Sequence, residues 1–118
     1  MQFSIVGTWN GLVDWGCQGS TASAGPWTFK ADGTWTYSFG GGRWVQVGDM
    51  VCWNFTNAPG LIYCSNLSRD SMQGIMGYAS ASPNPGTGCF YGLRQGKLAA
   101  FVEDEAKKAD ATVGHVKK

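Results

Sequence analysis

Residues 27–39 read WTFKADGTWTYSF. Trp27 and Phe29 stand two apart before Ala31-Asp32-Gly33, and Trp35, Tyr37 and Phe39 stand two apart after it. Period-two alternation marks a strand with one buried face, and Asp-Gly between two such runs is the strongest short-range sign of a β-hairpin. Two antiparallel strands are therefore specified before any long-range contact is considered.

The pattern continues in both directions. From Phe3 to Cys17 the odd positions hold Phe3, Ile5, Trp9, Val13, Trp15 and Cys17, which predicts one strand with a single buried face. QGSTASAG (18–25) reads as a polar loop. GGG (40–42) is expected to end the strand that follows the hairpin, and RWVQV to form the next. Gly48-Asp49 turns into MVCWNFT, and Asn57–Gly60 turns into LIYCSN. SMQGIMGYA and CFYGLRQ follow as strands, separated by the longer loop SASPNPGTG (80–88). Connections this short leave no room for parallel crossovers. The expected fold is all-β, an eight-stranded antiparallel up-and-down meander, and closing it into a barrel removes two bare edges.

Residues 1–97 are expected to form this barrel and residues 98–118 a short C-terminal helix with a frayed tail. Leu98, Phe101, Val102, Ala106, Ala109 and Val113 lie near helical spacing, and Glu103–Lys107 and Asp104–Lys108 are i,i+4 acid-to-base pairs. A ninth strand, LAAFV after a QGK turn, is the alternative.

Closure also places the cysteines. Cys17 ends the first strand and Cys89 begins the eighth, so pairing of first with last brings them together. In a hairpin centred on Ala58, Cys52 faces Cys64, Trp53 faces Tyr63 and Phe55 faces Leu61. Disulfides Cys17–Cys89 and Cys52–Cys64 are the expectation, four buried free thiols the alternative. Two disulfides would place the protein in a secreted or periplasmic setting. A metal site lacks its ligand spacing, since there is no Cys-x-x-Cys pair and the only histidine is His115. The sequons at Asn54 and Asn66 are short enough to be chance.

Aromatic and charged residues each make up 14% of the 118 residues, and the aromatics include six tryptophans. Residues 1–102 carry five Lys or Arg and four Asp, so no basic stripe exists to follow a phosphate backbone and nucleic acid is not an expected partner. No apolar run approaches the length of a membrane span. No cofactor motif is present.

Catalytic constellations are missing as well: without a histidine in the body there is no nucleophile–His pair, and no paired glutamates stand ready for glycoside chemistry. Asp32, Asp49 and Asp70 sit at turns, where aspartate bonds local backbone. Asp14 alone lies within a strand, opposite in parity to Trp9. An isomerase or cyclase built from Asp14 and Tyr37, Tyr63 or Tyr78 is the enzymatic alternative.

At Gly7-Thr8-Trp9 the chain resembles the calycins, the small meander barrels that include lipocalins and avidins. The resemblance covers residues 3–95, and the run ADGTWTYSFGGGRWVQVGDMVCW is similar to small exported bacterial barrels of unassigned function. It implies that Trp9, after Gly7, plugs one end of the barrel with Arg94 packed over it, and that the barrel serves a binding role.

On a consistent parity Trp15, Trp27, Trp35, Tyr37, Trp53 and Tyr63 point inward, together with Met72, Met76 and Tyr78. Small eight-stranded barrels are either filled by such side chains or hold one small ligand. The expectation is a small exported barrel that binds a small, largely apolar molecule within it, with Gln46, Ser65 and Gln73 as candidate polar contacts. A secreted inhibitor or interaction module that uses the loops at 18–25 and 80–88 is the alternative from another class.

Overall fold

The computed structural model describes residues 2–78 and 86–96. Its strands are β1 (Gly7–Trp15), β2 (Ala22–Phe29), β3 (Thr34–Tyr37), β4 (Gly40–Val47), β5 (Met50–Phe55), β6 (Ala58–Leu67), β7 (Ser71–Tyr78) and β8 (Thr87–Arg94). Each pairs antiparallel with the next and β8 returns to β1, closing the barrel in simple up-and-down order. The helix expected over 98–113 and most of the loop at 80–88 lie outside the described residues.

The hairpin that announced the fold forms in register, with Phe29 opposite Trp35 and Thr28 opposite Thr36. Its turn is held by the Lys30 amide donating to the Thr34 carbonyl (2.8 Å) and by the Asp32 carboxylate. That carboxylate accepts from the Thr34 amide (3.0 Å) and hydroxyl (2.6 Å), which keeps Asp32 below the usual carboxylate range. Gly33 supplies the left-handed backbone, φ +90°.

Four local expectations are corrected. The period-two run from residue 3 to 17 is a strand only over its middle: residues 3–6 form a strap across one barrel end. Beyond Trp15, the left-handed pair Gly16 (φ +85°) and Cys17 (φ +52°) turns the chain out of the strand, so Cys17 leaves the inner parity and meets Cys89, opposite Asp14. Gly40–Gly42 opens β4 rather than ending β3, because a Cβ on Gly41 would run into the Trp35 carbonyl and one on Gly42 into the Asn54 carbonyl. In the β5–β6 hairpin Cys52 faces Cys64 and Trp53 faces Tyr63, but a bulge after Asn54 sets Phe55 opposite Ala58 instead of Leu61. Finally, residues 22–25 belong to β2, which leaves a connecting loop of only 16–21.

The interior is filled with rings. Trp27, Trp53, Tyr63 and Phe90 stand 4.9–5.8 Å apart by centroid, mostly edge to face, and Phe29, Trp35 and Phe55 continue the cluster. Small residues make the room. The Trp27 indole lies over Gly11, where a Cβ would collide with it, and Gly88 and Gly92 stand opposite Met76 and Met72. Large faces small across the barrel, which is how a small barrel packs solid.

Candidate functional site

The expected ligand-lining residues divide into two groups. Trp27, Trp35, Trp53 and Tyr63 are buried and touch one another. They are the core itself, and the two depressions lined by Asn66, Gln73 and Tyr91 and by Arg43, Trp44 and Ile62 both lie on the outer wall. Tyr37 is half-buried, stacked on Trp35 at 5.1 Å. Trp15 and Tyr78 are different: they are 42% and 41% exposed, and they stack on each other at 6.2 Å with 21° between planes. Both have inward parity but sit at the strand ends, above the filled interior.

They mark one end of the barrel, the mouth, where the connections 16–21, 38–39 and 56–57 converge and where β7 ends and β8 begins. Gly86 lies beneath the pair, its Cβ position 3.3 Å from the Trp15 ring. Phe39, 80% exposed, continues from Tyr37 on the β3 side of the same end. Gln18, Ser20 and Thr21 are exposed in the loop that follows Trp15. Apart from Asp14, no charged residue among the described ones belongs to this end.

At the opposite, closed end the turns 30–33, 48–49 and 68–70 meet the strap. Lys30, Asp32 and Arg43 cluster at the first turn, and Asp49, Arg69, Asp70 and Arg94 at the others. Arg94 organises the closure. Its guanidinium lies 4.3 Å over the Trp9 ring and donates to the carbonyls of Ser4 (2.7 Å), Val6 (3.0 Å) and Arg69 (2.9 Å), with Asp70 at 3.7 Å. Burial lowers its pKa while Asp70 raises it. Trp9 is fully buried and donates to the Ile5 carbonyl at 2.8 Å. Gly7, at φ +134°, leaves space for the guanidinium, which a Cβ there would meet at 2.9 Å.

Gln46 has a structural task. Its side-chain amide donates to the Phe3 carbonyl and accepts from the Ile5 amide at 3.3 Å, while Asp49 accepts from the Phe3 amide at 3.0 Å. It ties down the strap. Ser65 is buried against the Val51 carbonyl, and Gln73 lies on the outer wall because its neighbour Met72 points inward. Asn54, the first sequon asparagine, accepts from the Arg43 amide at 2.9 Å.

The acid–tyrosine arrangement is not assembled. Both carboxylate oxygens of Asp14 are taken by backbone, Oδ1 by the Gln18 amide (3.0 Å) and Oδ2 by the Gly19 amide (2.8 Å), on the outer side of the wall. Tyr63 lies inside, where burial pushes its phenol up to about 12, with Tyr37 and Tyr78 adding to the effect. Trp53 Nε1 has no hydrogen-bond partner among the described residues. Its rings Trp27, Phe29 and Phe90 stand edge to face with it, offering π faces as weak acceptors. No group of three His, Cys, Asp or Glu that could hold a metal exists among the described residues, and no described helix is long and apolar enough to cross a membrane.

The larger outer depression is a groove of about 750 Å³ along β6–β8, with Asn66, Gln73, Ile75 and Tyr91 on its floor. It reaches Leu93 near the closed end of β8. The mouth is the better site. Sequence reading placed Trp15 and Tyr78 inside the barrel and passed over Phe39. The missed signal was their position, Trp15 and Tyr78 at strand ends and Phe39 in the turn after β3, beside connecting segments that carry no charge.

Compared with models of protein families, with curated proteins and with solved structures, the chain matches none.

Proposed function

We propose that this chain is an exported, calycin-like barrel that acts as a non-catalytic binding module and engages its partner at the mouth. The observation that carries the reading is the contrast along the inward face: the rings below are packed solid, while Trp15 and Tyr78 stack half in solvent above them. Exposed aromatics of this kind are costly to leave wet and supply large contact area at little entropy cost. The Trp9–Arg94 closure supports the calycin likeness, and the disulfides Cys17–Cys89 and Cys52–Cys64 support an oxidising, secreted or periplasmic setting. Asp14, spent on backbone, supports a role without catalysis.

The six tryptophans make the test direct. Indole N–H resonances are followed by NMR while medium-chain alcohols, uncharged peptides and neutral oligosaccharides are titrated in. The expected result is movement of the Trp15 signal with those of Trp27, Trp35 and Trp53 unmoved. Movement of the Trp53 signal, whose N–H is free to receive a partner, would transfer the site to the interior and restore the small-apolar-ligand reading.

A further inference from the structure

We infer that the occupant of the mouth is a neutral oligosaccharide, stacked on the Trp15–Tyr78 pair. This deepens the mouth reading and rests on it.

Three properties of the site select that chemistry. The first is depth. An apolar molecule binds well when most of its surface is enclosed, and here buried rings and Met76 close the barrel directly beneath the pair. Only a ligand that gains from one covered face can use so shallow a site. A pyranose does so, because its axial C–H face carries the positive edge that suits the negative face of an aromatic ring, while its hydroxyls stay hydrated.

The second is charge. Among the described residues, Lys30, Arg43, Arg69 and Arg94 all lie at the closed end, and the mouth has Asp14 alone, its two oxygens already bonded to Gln18 and Gly19 amides. An anionic ligand finds no counter-charge there, and a protein partner finds none of the arginine that interfaces favour. A neutral ligand pays no penalty for its absence.

The third is the polar surround. Of the exposed residues after Trp15, Thr21 faces the outer groove, and Gln18 and Ser20 stand in the connection at the mouth. They bring amide and hydroxyl groups, donor and acceptor both, which match sugar hydroxyls without fixing a charge. The Cys17–Cys89 bridge anchors the start of this loop beside the ring pair, so the platform is preorganised rather than ordered on binding.

The test is a glycan array of neutral, sialylated and sulfated oligosaccharides, followed by titration of the best neutral hit against the indole resonances to about 10 mM, enough to see millimolar affinity. Saturable binding to a neutral glycan, with the Trp15 signal moving and those of Trp9, Trp27 and Trp53 fixed, is expected. Trp15→Ala should weaken it at least tenfold and Trp15→Phe only a few-fold, the unmoved core indoles showing that each variant is folded. Binding to acidic glycans alone would overturn the inference in favour of the basic closed end, and absence of any glycan binding would overturn it outright. If sugars fail but an uncharged peptide or alcohol still moves Trp15, the saccharide falls and the mouth reading stands. If only Trp27, Trp35 or Trp53 responds, both fall.

Discussion

At one end of the barrel a strap of four residues is stitched down by Gln46, Asp49 and Arg94, with Trp9 sealed beneath; at the other, Trp15 and Tyr78 stack in solvent above uncharged loops. The same strands supply both ends. What differs is where side-chain hydrogen bonds and charges are spent. The closed end uses long polar side chains to satisfy strap carbonyls that have no strand partner. The mouth is held by one covalent bridge and by short side-chain bonds from Asp14 and Asn57 to its own loops, and leaves its apolar rings unspent. Polar groups at the closed end are satisfied internally, and the rings at the mouth stay partly in solvent.

Removing the covalent bridge at the mouth has the largest expected effect. Cys17→Ser with Cys89→Ser opens a link across 72 residues, which chain-entropy reasoning values at about 4 kcal/mol. The bridge Cys52–Cys64 spans only 12 residues and on the same reasoning contributes about 3 kcal/mol. Urea unfolding should order the two double variants that way, and hydrogen exchange in the first should rise around Trp15 and Gly88 before it rises around Trp9. Equal loosening of both ends would refute the division of labour.

Arg94→Met attacks the other end. It leaves the Ser4, Val6 and Arg69 carbonyls without their donor and removes the cation from the Trp9 ring, a loss of about 2 kcal/mol in urea unfolding. Arg94→Lys should recover less than half, because an ammonium cannot present the fork that reaches three carbonyls at once.

Tyr63 lies between the two ends, buried in the core. Its folded-state pKa is raised to about 12, against about 10 for an unfolded tyrosine. The protonated form is what the core accepts, so its contribution is intact below pH 10. It is lost as pH climbs toward 12, where the unfolded chain releases the proton and the folded one resists. The unfolding free energy from urea titrations should fall in that window by at most about 1 kcal/mol per pH unit, and Tyr63→Phe should remove that part of the slope. An unchanged slope would mean that the exposed tyrosines dominate alkaline unfolding.

Much of the architecture was legible in residues 27–64. Asp32-Gly33 fixed one hairpin, and the pairing of Cys52 with Cys64 followed from counting around Ala58, because a disulfide tolerates only one of the two parities. The bulge after Asn54 escaped the same count, since nothing in Pro59-Gly60 distinguishes a turn from an insertion beside one. Gly40–Gly42 misled for a related reason. A glycine run marks either a break or a place where neighbouring backbones crowd, and the crowding at Gly41 and Gly42 exists only once β3 and β5 are beside them. The question of a hollow barrel could not be answered by listing inward rings. It turned on which small residues face them, and the pairs Met76–Gly88 and Met72–Gly92 are visible only after β7 and β8 are in register. Gln46 was read as a ligand contact because the strap it holds had been counted as strand.

The smallest expected effect probes the mouth itself. Offset-stacked aromatic pairs contribute on the order of 0.5–1 kcal/mol beyond area, so a double-mutant cycle with Trp15→Ala and Tyr78→Ala should return a coupling of that size in urea unfolding, while each single variant stays folded. A measured coupling means that the rings hold their 21° arrangement without a ligand, and binding then carries little ordering cost. A coupling of zero means that the pair is organised only when something lies across it. The same two substitutions would then change affinity without touching stability, and the mouth would differ from the closed end in order as well as in chemistry.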